Sequence, residues 1–222
     1  MCKLILILLS FIFSTSGFSQ IDSISHFGGI TEKSALNNNV EGNPLLFDNW
    51  KSGQITLTNG QKFEIKKINL DASRDAFVYQ QNDSVFDFTD NVKEVRIYGE
   101  DHVNNPESDM IFRTDVNPSA TNFVQVLTHG KITIYCEYSK KPEGDYSNNG
   151  FVTTTRQYEL STNYYSLVNN TATPIKFNSS TLEDLTSDKK DRVNAFVKEN
   201  KLKVKKEPDF LKAIKFYNSI GS

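Results

Sequence analysis

Between Trp50 and Tyr98 the chain reads WKSGQITLTNGQKFEIKKINLDASRDAFVYQQNDSVFDFTDNVKEVRIY, and apolar residues recur at every second position in short runs. That period puts one face of each run on a core and the other in water, the pattern of half-buried antiparallel strands. Ile55 and Leu57 share a face, then Phe63 and Ile65, then Ile68 and Leu70. Asn59-Gly60, between the first two pairs, predicts a two-residue hairpin turn whose central residues both take positive φ. The later pairs are out of phase because Lys66 and Lys67 are adjacent. This predicts either a β-bulge at that dipeptide or a strand that ends near Lys66. Phe77 and Tyr79, then Phe86 and Phe88, predict a second hairpin around Gln81-Asn82-Asp83, and Val95 with Ile97 a further strand.

Residues 99–121 read as loop, apart from Met110-Ile111-Phe112, which suit a short strand. In the next run Ile132, Ile134, Cys136 and Tyr138 share a face. Val124 and Val126 oppose Ile134 and Ile132 if the loop is Thr128-His129-Gly130, with Gly130 at the left-handed position. Residues 140–155 form a polar loop, and strands are predicted near 156–160, 163–168 and 174–177. From Ser180 onward the spacing becomes helical. Val193, Phe196 and Val197 lie one turn apart, as do Phe210, Ile214 and Tyr217. Pro208 suits the first position of the last helix, with Asp209 complementing the dipole. The fold class predicted is α+β: an antiparallel β-sheet built from successive hairpins with two or three C-terminal helices packed on it. Residues 50–222 form its single domain, β-rich over 50–178 and helical over 179–222.

The start of the chain alters this picture in one respect. Residues 1–19, with Lys3, an apolar run and then small residues, read as a signal peptide with cleavage expected before Gln20. Cys2 precedes the apolar run, whereas a lipid-bearing cysteine would follow it. Residues 20–49 are an irregular lead-in rich in Asn, Ser and Gly, whose end Leu45-Leu46-Phe47 and Trp50 are placed to pin. Within residues 20–222 Cys136 stands alone, so an internal disulfide is excluded and the core must hold the fold. No later run is long and apolar enough for a membrane-spanning helix.

Charge is divided along the chain. The whole carries −2; residues 187–222 hold ten Lys or Arg against five Asp or Glu, which leaves −8 on residues 20–186 once Lys3 is set aside. The basic stretch Lys198, Lys201, Lys203, Lys205 and Lys206 is the candidate surface for a ligand or partner. It suits an acidic envelope protein or an anionic polysaccharide. Attraction to the acidic body of the same domain is the competing explanation. Nucleic acid does not fit an exported chain of net negative charge.

Other candidate chemistry is thin. His129 and Cys136 are too far apart along a strand to form a nucleophile and base, roughly 20 Å at ~3.3 Å per residue. Cys136 reads instead as a buried structural thiol. His26, His102 and His129 have no metal-site spacing. Asp145, Ser147 and Asn149, followed by Gly150, resemble the opening of a calcium loop, but Arg156 stands where the closing carboxylate belongs. Asp71, Asp75, Asp83, Asp87 and Asp90 crowd one region; paired carboxylates there could act on a glycan, but with no cleft to place them in, turn formation is the better account. No cofactor motif is present.

Trp50-Lys51-Ser52-Gly53 leading into ITLTNGQKFEIKKINLD, then VKEVRIY, FVQVLTHGKITIYCEY, NYYSLVNNTATPIKF and DKKDRVNAFVKENKLKVKKEPDFLKAIKFYNSI follow in order. In this order the chain resembles a loose group of uncharacterised exported proteins of Gram-negative bacteria. The resemblance implies export and the fold class and brings no activity with it. The expected function is a non-enzymatic binding or structural protein of the cell envelope, in the periplasm or at the cell surface. The alternatives are an envelope glycan or peptide hydrolase using paired carboxylates, and a calcium-dependent adhesion module.

Overall fold

The computed structural model describes residues 32–33, 41–88, 92–117, 122–143 and 157–220. The strands among them are β1 (Glu32–Lys33), β2 (Lys51–Leu57), β3 (Lys62–Asp71), β4 (Ala76–Gln81), β5 (Ser84–Asp87), β6 (Val92–Ile97), β7 (Met110–Arg113), β8 (Val124–Thr128), β9 (Thr133–Glu143), β10 (Gln157–Val168) and β11 (Thr171–Pro174). Three helices follow: α1 (Ser179–Leu185), α2 (Lys190–Glu199) and α3 (Glu207–Ser219). The predicted α+β class is the observed one. The strands form one sheet in the order β1-β5-β4-β3-β2-β6-β7-β8-β9-β10-β11. Its neighbours are antiparallel throughout. From β2 the chain winds outward to β5, returns to place β6 beside β2, and winds the opposite way to β11.

The sheet curls over on itself. Phe77 on β4 and Phe112 on β7 are four strand positions apart, which in a flat sheet is roughly 19 Å. Their ring centroids are 5.2 Å apart and nearly perpendicular, with Phe123 4.9 Å from Phe77 on another side. A backbone hydrogen bond from Lys140 N on β9 to Ala72 O in the β3–β4 turn closes the same gap. Inside the curl lie Ile55, Ile68, Leu70, Phe77, Tyr79, Val95 and Phe112, all buried. The end of the lead-in is pinned as expected. Leu46 N donates to Leu70 O, and the buried Asn69 side chain brackets Phe47 through both its N–H and its C=O.

Register follows the apolar faces. Lys51 pairs with Ile68 but Gly53 pairs with Ile65, so β3 carries one extra residue, and Lys66 and Lys67 are both exposed between buried Ile65 and Ile68. The bulge is therefore present and the strand continues through it. Beside it, a Cβ on Gly53 would sit 2.2 Å from Arg96 O, so only glycine lets β2 and β6 approach there. The turn chemistry differs from expectation. Ile55 opposes Phe63, which makes the first hairpin loop three residues, Thr58-Asn59-Gly60, with positive φ at Gly60 alone. A two-residue loop would have set Ile55 against Glu64 and put apolar and charged residues on one face. The two-residue turn with both φ positive belongs to Asn82 and Asp83, and it sets Tyr79 opposite Phe86.

The second half of the sheet carries the helices. Ile132, Ile134, Leu182, Val193, Val204, Phe210, Ala213, Ile214 and Tyr217 form a separate buried cluster. The predicted Val126–Ile132 pairing is absent: Gln125 opposes Cys136, Val126 opposes Tyr135, and a register shift precedes Thr128. Asn218 of α3 is the cause. It accepts from Ile132 N and donates to Ile132 O and His129 O, and the Thr128 hydroxyl of β8 bridges Ile132 O and Ile134 N, so side chains stand in for the ladder bonds there. Gly130 has φ +145°, and a Cβ there would meet the Asn218 side chain at 2.7 Å. The strands expected at 156–160 and 163–168 are one continuous β10, because β9 pairs with it from Thr133 to Glu143. No strand runs over 174–177 as expected; β11 lies earlier, at Thr171–Pro174, directly after an Asn169-Asn170 turn with both φ positive. Pro208 is the second residue of α3, not the first. Among the described residues no helix is long and apolar enough to cross a membrane.

Candidate functional site

The turn between α2 and α3 is built by alternation. Leu202 is half-buried and Val204 buried against the helical core, which turns Lys201, Lys203 and Lys205 to solvent; Lys198 and Lys206 are exposed at its two ends. The turn is closed by its own backbone: Asn200 N donates to Phe196 O, Leu202 N to Val197 O and Lys206 N to Lys203 O. Asp209 accepts from Lys203 N at 2.8 Å, and Glu207 accepts from Tyr164 Oη at 2.7 Å. Glu207 is thereby held by β10 and Asp209 by the turn backbone, while Glu199 is the acid within the stretch. Lys93, Lys131 and Lys190 pair with carboxylates, whereas among the described residues none of the five turn lysines does. The predicted basic residues are thus brought together on one anchored turn.

A cleft of about 650 Å³ lies between the β10–β11 hairpin and α1. Register builds its floor: Ser166 opposes Thr173 and Val168 opposes Thr171, so these four side chains share the face that Ile134 presents to the helices. Thr181, Asp184 and Leu185 of α1 form the roof. Lys131, Asp188 and Tyr217 close one end. There Asp188 accepts from Lys131 Nζ at 2.7 Å and from Tyr217 Oη at 2.8 Å. The Lys131 ammonium, then the Tyr217 hydroxyl, hold the Asp188 carboxyl below its ordinary range, and Asp188 in turn raises Lys131. Lys131, Asp184 and Asp188 went unnoticed in the sequence because each reads as an ordinary outward-facing polar position until α1 docks above the hairpin.

The aspartates of the hydrolase alternative sit at separate turns and ion pairs. Asp71 is buried and accepts from Ser73 N and Oγ and from Arg74 Nε; Arg74 also grips Asp87 with both terminal nitrogens. Asp83 sits in the tight β4–β5 turn, and Asp90 lies outside the described residues. Asp75, at φ +54°, accepts from Phe123 N and lines a cavity of about 290 Å³ with Glu137 and Asn163. Burial, reinforced by the Glu137 charge, pushes its carboxyl up to about 6.

His129 lies in the loop clamped by Asn218. His102 stacks on Tyr98 and bonds the buried Asp109 carboxylate through Nδ1 at 2.8 Å. Cys136 is 1% exposed, and burial pushes its thiol up to about 12. Asp145, Ser147 and Asn149 of the proposed calcium loop lie outside the described residues. Among the described residues no three His, Cys, Asp or Glu side chains are grouped to hold a metal ion. No protein-family model, no curated protein and no solved structure matches the chain.

Proposed function

We propose that the chain is an exported, non-enzymatic binding protein of the cell envelope, and that the α2–α3 turn docks an anionic polysaccharide. The observation that supports this is the turn itself: five exposed ammonium groups on a backbone held by Leu202 and Val204, with the Glu207 carboxylate bonded to Tyr164 and that of Asp209 to the Lys203 amide. Residues 198–206 hold five lysines and one acid, Glu199. A concentrated positive field on a body of opposite sign orients the molecule toward a polyanion, and salt screens that attraction. An acidic face of an envelope protein offers the same charge pattern and is the second partner class.

The test is retention on immobilised alginate across a salt gradient. The folded protein should be retained at low salt and released as salt rises. A variant with Lys198, Lys201, Lys203, Lys205 and Lys206 all changed to Gln should pass through while keeping its circular dichroism. Failure of the original protein to bind, or equal retention of the variant, would remove the polysaccharide reading. Export is checked separately: mass spectrometry of the envelope-derived protein should find an N-terminus at Gln20.

A further inference from the structure

We infer that the cleft between β10–β11 and α1 is a binding site for a neutral polyhydroxylated ligand, a single sugar or a short neutral oligosaccharide. This site is separate from the basic turn and does not depend on the function proposed for it. Its size falls within the range of small-ligand pockets, about 300–1,000 Å³, at about 650 Å³. Its lining is the unusual feature. Ser166 is only 2% exposed and lines the cleft, yet among the described residues its hydroxyl makes no hydrogen bond. Among the described residues the buried side-chain atom without a partner is Tyr135 Oη; the Ser166 hydroxyl is instead open to the cleft, where a ligand can bond it.

The neighbouring groups extend the same chemistry. Thr171 and Thr173 share the floor with Ser166, and Thr181 and Ser187 add hydroxyls from above. Each such hydroxyl both donates and accepts, which matches a polyol, whose own hydroxyls do the same. Val168, Ile175 and Leu185 supply apolar wall for the C–H faces of a sugar ring. Charge argues against an anion. Lys131, the cation of the lining, is already paired with Asp188, and Asp184 remains as an exposed carboxylate. Carboxylates at a rim accept strongly from sugar hydroxyls and repel uronic acids. The two sites therefore differ in the sign of ligand they suit.

The experiment is an amide-resolved NMR titration of the folded protein with glucose, N-acetylglucosamine and, as the anionic counterpart, galacturonate. Saturable shifts at Ser166, Thr173 and Thr181 with at least one neutral sugar, and none with galacturonate, are expected. Ser166→Ala combined with Thr173→Val should weaken that binding about tenfold. Because Ser166 is buried, Thr181→Ala on the helix provides a second variant, expected to weaken binding about threefold with the core untouched. The variant lacking the five turn lysines should bind the sugar unchanged, which keeps failure of this inference distinct from failure of the polysaccharide reading. No saturable shift with either neutral sugar, a larger response to galacturonate, or binding indifferent to both cleft variants would overturn it.

Discussion

The curled half of the sheet, β2 to β7, and the helix-covered half, β8 to β11, reach their registers by different means. In the curled half the hairpin registers can be traced to neighbours in sequence, with β2–β6 the long-range pairing that joins them. Ile55 seeks Phe63, Tyr79 seeks Phe86, and the extra residue at Lys66-Lys67 restores the phase of Ile68. In the helix-covered half the β8–β9 loop is set by Asn218, 86 residues beyond the Ile132 amide it accepts from. The hairpins of the first half need nothing docked on them to set their pairing, whereas the β8–β9 loop acquires its geometry with α3 in place. The two buried clusters should then respond separately to damage.

The largest expected effect comes from Gly53→Ala. The new Cβ would fall 2.2 Å from the Arg96 carbonyl, against backbone that cannot swing aside. A loss of about 3 kcal/mol in denaturant unfolding is expected. Hydrogen exchange at Val193 and Ile214 should change less than at Val95. Equal loss at both would show that the halves are one cooperative unit.

Asn218→Ala attacks the other half. It removes three hydrogen bonds to the Ile132 and His129 backbone, at a cost of about 2 kcal/mol. The Ile132 amide should exchange faster while near-ultraviolet signals from the Phe77–Phe112 cluster persist. An intact exchange pattern at Ile132 would mean that the strand, and not the helix, holds the loop.

Asp75→Asn probes the seam where the β3–β4 turn meets the start of β8. Its carboxyl is raised from 3.8 to about 6, so the folded state favours the protonated form. The stability this contributes is complete below the ordinary carboxylate range and is lost as pH rises through about 6. The thermal midpoint should fall between pH 4 and 7 more steeply than in the variant, which keeps the amide acceptor for Phe123 N without the charge. Parallel pH profiles would refute the assignment.

The smallest effect is a gain. Lys201 has φ +50° at the end of α2, a conformation that favours glycine. Lys201→Gly should stabilise by about 1 kcal/mol, read as a higher denaturation midpoint. No gain would indicate that the turn is held by Leu202 and Val204 firmly enough to absorb the strain.

Much of the fold is legible in residues that argue by phase. The adjacent lysines disclose the bulge, and the shift from period two to period 3.6 after Ser180 discloses the helices. Turn dipeptides are weaker guides: Asn59-Gly60 has the composition for a two-residue turn, yet the apolar faces of Ile55 and Phe63 demand three. The β8–β9 register was beyond reach because its determinant is a side chain on the last helix. The basic turn could be read because lysines at alternate positions need no partner to be recognised. The cleft could not, since its walls come from β10–β11 and α1 and meet only in the fold; the one trace is a serine in phase with Tyr164 and Val168.

Cys136 lies on β9 between Ile134, which packs under the helices, and Tyr138, which packs against the curl. With its thiol covered and its acidity suppressed, this sulfur is inert while the molecule is whole. In an oxidising compartment Cys136 can therefore enter mixed disulfides only during moments when the strands and side chains covering it part. Its covalent fate thus becomes a record of how often that cover opens.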